Sequence, residues 1–270
     1  MKALIFSKGG GTTPDAVRVG LGLLFASDKK NNFGENMYAR IIITFTLLTA
    51  LFSASHAEVM ECYSFNPVAG KQAIMIERMA EVAEIQEKFG ANIDIYAIEI
   101  GGSGAQFDYC MRWDTPQDWG TSKDAMAASL ELQDWFSEEQ KAPSGLLLSS
   151  VEAFNLDGEV KASSFSAPSY FRAYTGMEAE YGKDMEVQAR LKRMEEVFEK
   201  AGLRVEVYTS DFGSPKGYHF IMFGESRSDF ANKMSAAIQS AEMSEFQASG
   251  NPWIYAEGDT DAGITGYAIR

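Results

Sequence analysis

The stretch NIDIYA, residues 92–97, returns as RVEVYT at residues 204–209. Each alternates apolar with polar side chains in the period of a half-buried strand, so one face of each strand turns toward a core and the other away from it. The match extends in both directions. Upstream, VAEIQEKFG ending at Gly90 corresponds to MEEVFEKAG ending at Gly202, an offset of 112 residues. Downstream, FDYCMRWDT from Phe107 corresponds to YHFIMFGES from Tyr218, and Asp118 with Trp119 to Asp229 with Phe230, at an offset of 111. A repeat of that length is too long for a solenoid unit and suits a duplicated domain.

In the first copy, VMECYSF from Val59 predicts a strand by its apolar and aromatic content. Met75, Met79, Val82, Ile85 and Phe89 then recur at helical spacing, which predicts a helix over Gln72–Phe89 that Gly90 stops. Ile93–Ile100 and Phe107–Trp113 form a hairpin across Gly101-Gly102-Ser103-Gly104. A second helical region from Pro116 to about Gln140 opens with Thr115 and Asp118 in a capping pattern, with proline first in the helix. Leu146–Phe154 supplies a fourth strand. The order is β-α-β-β-α-β, the ferredoxin-like unit, which places the chain in the α+β class. The second copy repeats it with strand Tyr170–Thr175, helix Asp184–Ala201, hairpin strands Leu203–Thr209 and Tyr218–Phe223, and a helical region capped by Ser226 and Asp229. Its last strand is either Trp253–Glu257 or Ile264–Ile269. The organisation expected is repeat one over residues 58–156, a polar linker over 157–168 that ends in Pro168, and repeat two over 169–270.

Two such units in tandem resemble the dimeric α+β barrel superfamily, which includes antibiotic-biosynthesis-type monooxygenases, muconolactone isomerases, NIPSNAP-like proteins and chlorite dismutases. The resemblance lies in element order and duplication and covers Glu58 to Arg270. It implies an internal pseudo-dimer in which two four-stranded sheets pack face to face with the helices outside.

Ahead of the repeats, MYARIIITFTLLTALFSASHA at residues 37–57 has one positive charge at Arg40, an apolar run from Ile41 to Phe52, and Ser55 and Ala57 at the small-residue positions of a cleavage site. That order predicts a secretory signal peptide, a mature chain beginning at Glu58, and a periplasmic or secreted location. Residues 1–36 lie upstream of it, as an early assigned start codon would leave them. No later segment approaches ~20 consecutive apolar residues, so no membrane span is expected. The formal net charge is −14; the first 57 residues hold six Lys/Arg and three Asp/Glu, so the remainder stands at 18 basic against 35 acidic groups. Such a surface repels phosphate backbones and anionic lipid, which argues against nucleic-acid and membrane-surface partners.

Strand alternation sorts the side chains that could carry chemistry. Ile93, Ile95, Phe107, Tyr109 and Met111 are expected to face the helices, which leaves Asp94, Tyr96, Asp108, Cys110 and Arg112 on the sheet-to-sheet side. Glu206, Tyr208, His219, Ile221 and Phe223 match them in the second copy. So polar a buried face reads either as an internal ion-pair network around Arg112 or as a polar pocket. His219 is the one histidine outside the leader, so a general base or a haem ligand of histidine type would have to be this residue, although pairing with its counterpart Asp108 is the plainer expectation. Multi-histidine or multi-thiolate zinc is excluded by count. Glu257, Asp259 and Asp261 alternate in a glycine-flanked loop without the glutamate that closes a calcium loop, so no metal is expected. The four tryptophans read as core. Cys62 and Cys110 sit near the middle of neighbouring antiparallel strands, and export would allow them to form a disulfide.

The leading expectation is a small organic ligand bound without a cofactor, with His219, Arg112, Asp108, Tyr96, Glu206, Tyr208 and Arg172 as the polar groups. The alternative is a cofactor-independent monooxygenase or isomerase that uses His219 with Tyr208 or Arg172. A third is a non-catalytic interaction module. The chain is expected to be a soluble monomer or weak oligomer.

Overall fold

The computed structural model describes residues 57–162, 170–213, 217–249 and 263–270. The upstream segment, the leader before Ala57, the end of the linker, the Trp253–Glu257 alternative and the Glu257, Asp259 and Asp261 loop lie outside the described residues. Eight strands, β1 (Val59–Pro67), β2 (Asn92–Ile100), β3 (Phe107–Trp113), β4 (Gly145–Asn155), β5 (Tyr170–Met177), β6 (Arg204–Gly213), β7 (Gly217–Gly224) and β8 (Gly263–Ala268), close into an antiparallel barrel. Around it run β1-β3-β2-β8-β5-β7-β6-β4. Of the two candidates for the last strand, the chain uses the second.

Within each half the strand order is the same: β4-β1-β3-β2 in the first and β8-β5-β7-β6 in the second. The halves join at two seams, β2 with β8 and β4 with β6. Two sheets packed face to face were expected; here hydrogen bonds along both seams make the space between them the interior of a barrel. Closure removes the free edges that an open sheet presents.

Among the described residues six helices accompany the strands: α1 (Gln72–Glu87), α2 (Pro116–Ala128), α3 (Leu130–Lys141), α4 (Asp184–Lys200), α5 (Arg227–Ile238) and α6 (Ala241–Ala248). Gly90 and Gly202 follow α1 and α4 with φ of 91° and 88°, a left-handed conformation that ends a helix without Cβ strain. The single region expected from Pro116 to Gln140 is two helices. Ser129 leaves the helical conformation and its Oγ accepts from the Leu132 amide at 3.2 Å, so it ends α2 and caps α3. Ser240 does the same between α5 and α6, accepting from the Met243 amide at 3.0 Å.

The alternation holds throughout. Ile93, Ile95, Phe107, Tyr109, Met111 and Trp113 join Met75, Met79 and Val82 of α1 in an outer core for the first half. Val205, Val207, Tyr218, Phe220 and Met222 join Leu191 and Phe198 in another for the second. Facing inward, Tyr96, Ile98, Cys110, Phe171, Ala173 and Phe223 fill part of the barrel. Cys62 stands directly opposite Cys110 in the β1–β3 register and is bonded to it, with Cα atoms 4.1 Å apart. Among the described residues no helix is long and apolar enough to cross a membrane.

Candidate functional site

Arg112 is the centre of the barrel interior. It is 1% exposed. Its guanidinium meets Glu58 Oε1 at 3.1 Å and Asp94 Oδ2 at 3.3 Å and donates to the Tyr208 hydroxyl. Tyr208 in turn donates to Glu58 Oε2 at 2.9 Å, and Asn155 Nδ2 bridges Glu58 at 3.0 Å and Glu206 at 2.7 Å. Arg204 closes the far end on Glu206 Oε1 at 2.7 Å. Burial alone would lower the Arg112 pKa, but Tyr208, Glu58, Tyr96 and Asp94 outweigh it and hold the guanidinium charged. The same burial pushes the carboxyls of Asp94 and Glu206 up, against the pull of Arg112 and Arg204 respectively. Each of these polar groups is turned toward another one.

The site residues expected from the sequence therefore divide. Arg112, Tyr96, Asp94, Glu206 and Tyr208 come together, joined by Glu58 and Asn155, which sequence reading did not single out. Asp108 stands apart, accepting from Ser64 Oγ at 2.7 Å and Gln106 Nε2 at 2.8 Å, with burial raising its pKa. His219 faces the interior as expected, yet its Nε2 meets Ser210 Oγ at 2.8 Å, so the expected His219–Asp108 pair is replaced by separate partners in each half. Burial pushes the His219 pKa down to about 4, which keeps the ring neutral. Arg172 lies on the other side of the sheet from the Arg112 cluster, at the wall of the cavity in the second half. Its neighbours Phe171 and Ala173 take the interior, so by the strand period Arg172 turns outward, with its guanidinium 5.5 Å from the Phe230 ring of α5.

Space for a ligand lies outside the barrel wall. In the first half a cavity of about 630 Å³ opens between β1, β3 and β4 and the three helices. Tyr63, Phe65, Met75, Met79, Val82, Met111, Met126 and Leu132 give it an apolar body. Polar groups are few and held in place. Tyr109 donates its hydroxyl to Gln86 Oε1. Arg78 lies 4.3 Å from the Trp135 ring centroid and meets Glu139 Oε2 at 3.0 Å. Glu61 accepts from Tyr63 at 2.7 Å, Trp119 Nε1 at 2.6 Å and Lys123 Nζ at 2.8 Å, and so ties α2 to β1 at the cavity wall.

A second cavity of about 510 Å³ occupies the corresponding place in the second half. Position by position the two agree: Tyr63 with Tyr174, Arg78 with Arg190, Met111 with Met222, Leu132 with Met243, Trp135 with Phe246. Even the stack recurs, with Arg190 4.4 Å from the Phe246 ring. The paired lining, though not the space it encloses, could be traced in the sequence, since an arginine on the first helix and an aromatic on the third repeat at the offsets of the duplication. Among the described residues no group of three or more His, Cys, Asp or Glu side chains is placed to hold a metal ion.

No protein-family model matches the chain, and no curated protein does. Solved structures do resemble it. A candidate monooxygenase from Fusobacterium nucleatum subsp. nucleatum aligns at 11% identity and a TM-score of 0.51, covering 79% of this chain and 92% of that one. A chlorite dismutase from Candidatus Nitrospira defluvii aligns at 13% identity and 0.45, over 80% and 92% of the respective chains. A heme-binding protein from Thermus thermophilus gives 11% and 0.45, over 80% and 92%. At such identities the likeness is one of fold, and it is the first of the three that carries it.

Proposed function

We propose that this chain is an exported small-molecule-binding protein built from two tandem ferredoxin-like units of the dimeric α+β barrel superfamily, with its ligand in the first-half cavity. The matching strand order of the two halves supports the tandem reading. Support for export comes from the leader pattern and from the Cys62–Cys110 bond, which suits an oxidising compartment. The ligand reading rests on one observation: an apolar cavity of about 630 Å³ with a handful of fixed polar groups, the usual form of a small-molecule site. Arg78 and Lys123 each have a carboxylate partner, so the cavity favours a neutral, largely apolar ligand that reaches Gln86 or Tyr109 for a hydrogen bond.

Haem held by histidine does not fit. Histidine is absent from the described walls of both cavities, and the His219 ring is bonded to Ser210 inside the barrel. The oxygenase or isomerase reading depends on the same residue, and no observation on the described residues favours it. The test is native mass spectrometry of exported protein beside an Ala127→Trp variant, which plugs the mouth of the first cavity from an exposed helix position. A retained small molecule lost in the variant supports the reading; an empty protein, or retention unchanged by the plug, overturns it. N-terminal sequencing of the same material is expected to begin at Glu58.

A further inference from the structure

We infer, resting on the first-half cavity as the ligand site, that Gln86 is its recognition group and that the ligand presents a carbonyl oxygen, as a ketone, ester or amide carried on an apolar body. Met75, Met79, Val82 and Gln86 follow one another at helical spacing on the buried side of α1, and all four line the cavity. Three are apolar; Gln86 is polar and only 7% exposed. Its Oε1 accepts from the Tyr109 hydroxyl of β3, which is equally buried. A carboxamide also carries two N–H donors, and among the described residues nothing accepts from Gln86 Nε2, which opens on the cavity. A buried donor without a partner costs free energy unless something entering the cavity answers it.

The second half shows that the fold does not require this pair. By the offsets of the duplication Gln86 corresponds to Phe198 and Tyr109 to Phe220. Those two rings lie 5.9 Å apart between α4 and β7, filling the equivalent helix–sheet contact with no polar atom to satisfy. In the first half, the direction of the Tyr109 bond sets what the ligand can be. Burial raises the Tyr109 pKa, so the hydroxyl keeps its proton and donates it to Gln86 Oε1, which turns the amide nitrogen to the cavity. The Glu139 carboxylate on the same wall is engaged by Arg78 and by the amide and hydroxyl of Ser144. A carbonyl oxygen answers the free amide donor and brings no proton of its own. A hydroxyl would bring an O–H to a wall whose acceptors Gln86 Oε1 and Glu139 are already engaged, and a carboxylate would be desolvated where both cations, Arg78 and Lys123, are already paired.

The experiment is calorimetric titration of the mature protein with benzophenone, diphenylmethane and benzhydrol, each below its solubility limit, which compares a carbonyl, a methylene and a hydroxyl at the centre of one shape. Benzophenone is expected to bind about tenfold more tightly than diphenylmethane and more tightly than benzhydrol. Gln86→Met, which keeps the length of the side chain and removes its donor, should erase that preference and leave diphenylmethane binding unchanged. Tyr109→Phe, which releases the carboxamide, should reduce it. Gln86→Phe combined with Tyr109→Phe rebuilds the pair of the second half; it is expected to unfold at no lower urea concentration than wild type and to bind benzophenone no better than diphenylmethane, which separates recognition from a structural role. Equal affinity of wild type for benzophenone and diphenylmethane overturns the inference, as does a preference that survives Gln86→Met, a rebuilt pair that unfolds well below wild type, or failure of all three probes to bind. In each of these cases the cavity still stands as a ligand site if Ala127→Trp releases the retained molecule, whereas benzophenone binding untouched by Ala127→Trp overturns both.

Discussion

Arg112 shows what a buried charge costs and what it organises. Around it stand Glu58, Asp94 and, through Asn155, Glu206, with Arg204 as the second cation. Arg112→Met would leave those carboxylates facing one another in a closed interior, and urea denaturation is expected to show a loss of about 3–5 kcal/mol. Adding Glu58→Gln should recover part of that loss, because the uncompensated charge rather than the missing contact dominates it. His219 acts through protons instead. Its folded pKa of about 4 lies below the unfolded value near 6.5, so between those values the unfolded chain binds a proton that the native chain refuses. Stability from this group is therefore complete above about pH 6.5 and withdrawn toward pH 4, by ~3 kcal/mol. Asp94, Asp108 and Glu206 run the other way, since burial raises their folded pKa values and their contribution is lost as pH rises through them. Comparing wild type with His219→Gln isolates the histidine: thermal melts should show wild type losing ground to the variant as pH falls from about 7 to 4.

At the scale of elements, the serine breaks between α2 and α3 and between α5 and α6 shape the cavities, because two short helices can fold over the sheet where one long helix would run past it. Ser129→Ala is expected to cost about 1 kcal/mol in equilibrium unfolding and to weaken retention in the first cavity; Ser240→Ala should cost a similar amount and spare that cavity. Neither break was legible in advance. Serine in a helical pattern is tolerated often enough that periodicity runs through it, and the change of direction shows only once its hydroxyl is seen on the Leu132 amide. The faces of β2 and β3 were legible in full, because a period of two admits no intermediate orientation and the two sides of this sheet have different partners. Arg172 obeys the same rule: with its neighbours Phe171 and Ala173 inside, it faces outward.

For the whole molecule, duplication made the fold readable and hid the site. Constant offsets of 111 and 112 residues identify the equivalent strands, and the structure gives the two halves the same strand order. What pattern cannot supply is the distance at which helices stand off a sheet, and both cavities exist in that gap. The disulfide is where the halves part company, since Ala173 and Ile221 occupy the equivalent positions in the second half and pair without it. A Cys62→Ala, Cys110→Ile double variant is therefore expected to fold and to unfold at a lower temperature, by about 2–4 kcal/mol of stability in the chain-entropy account. The seam between β2 and β8 has a consequence in time. β8 is the last of the eight strands in chain order, yet it lies between β2 of the first half and β5 of the second. While the chain emerges end-first, β2 therefore waits with an open edge through the synthesis of β3, β4, β5, β6 and β7. Neither half can complete its hydrogen bonding before residues 263–268 arrive, so the barrel assembles as a single late event and its intermediates carry two strand edges able to pair with other chains. Deleting residues 263–270 should trap that state, and light scattering is expected to report self-association of the shortened chain at concentrations where the intact protein stays dispersed.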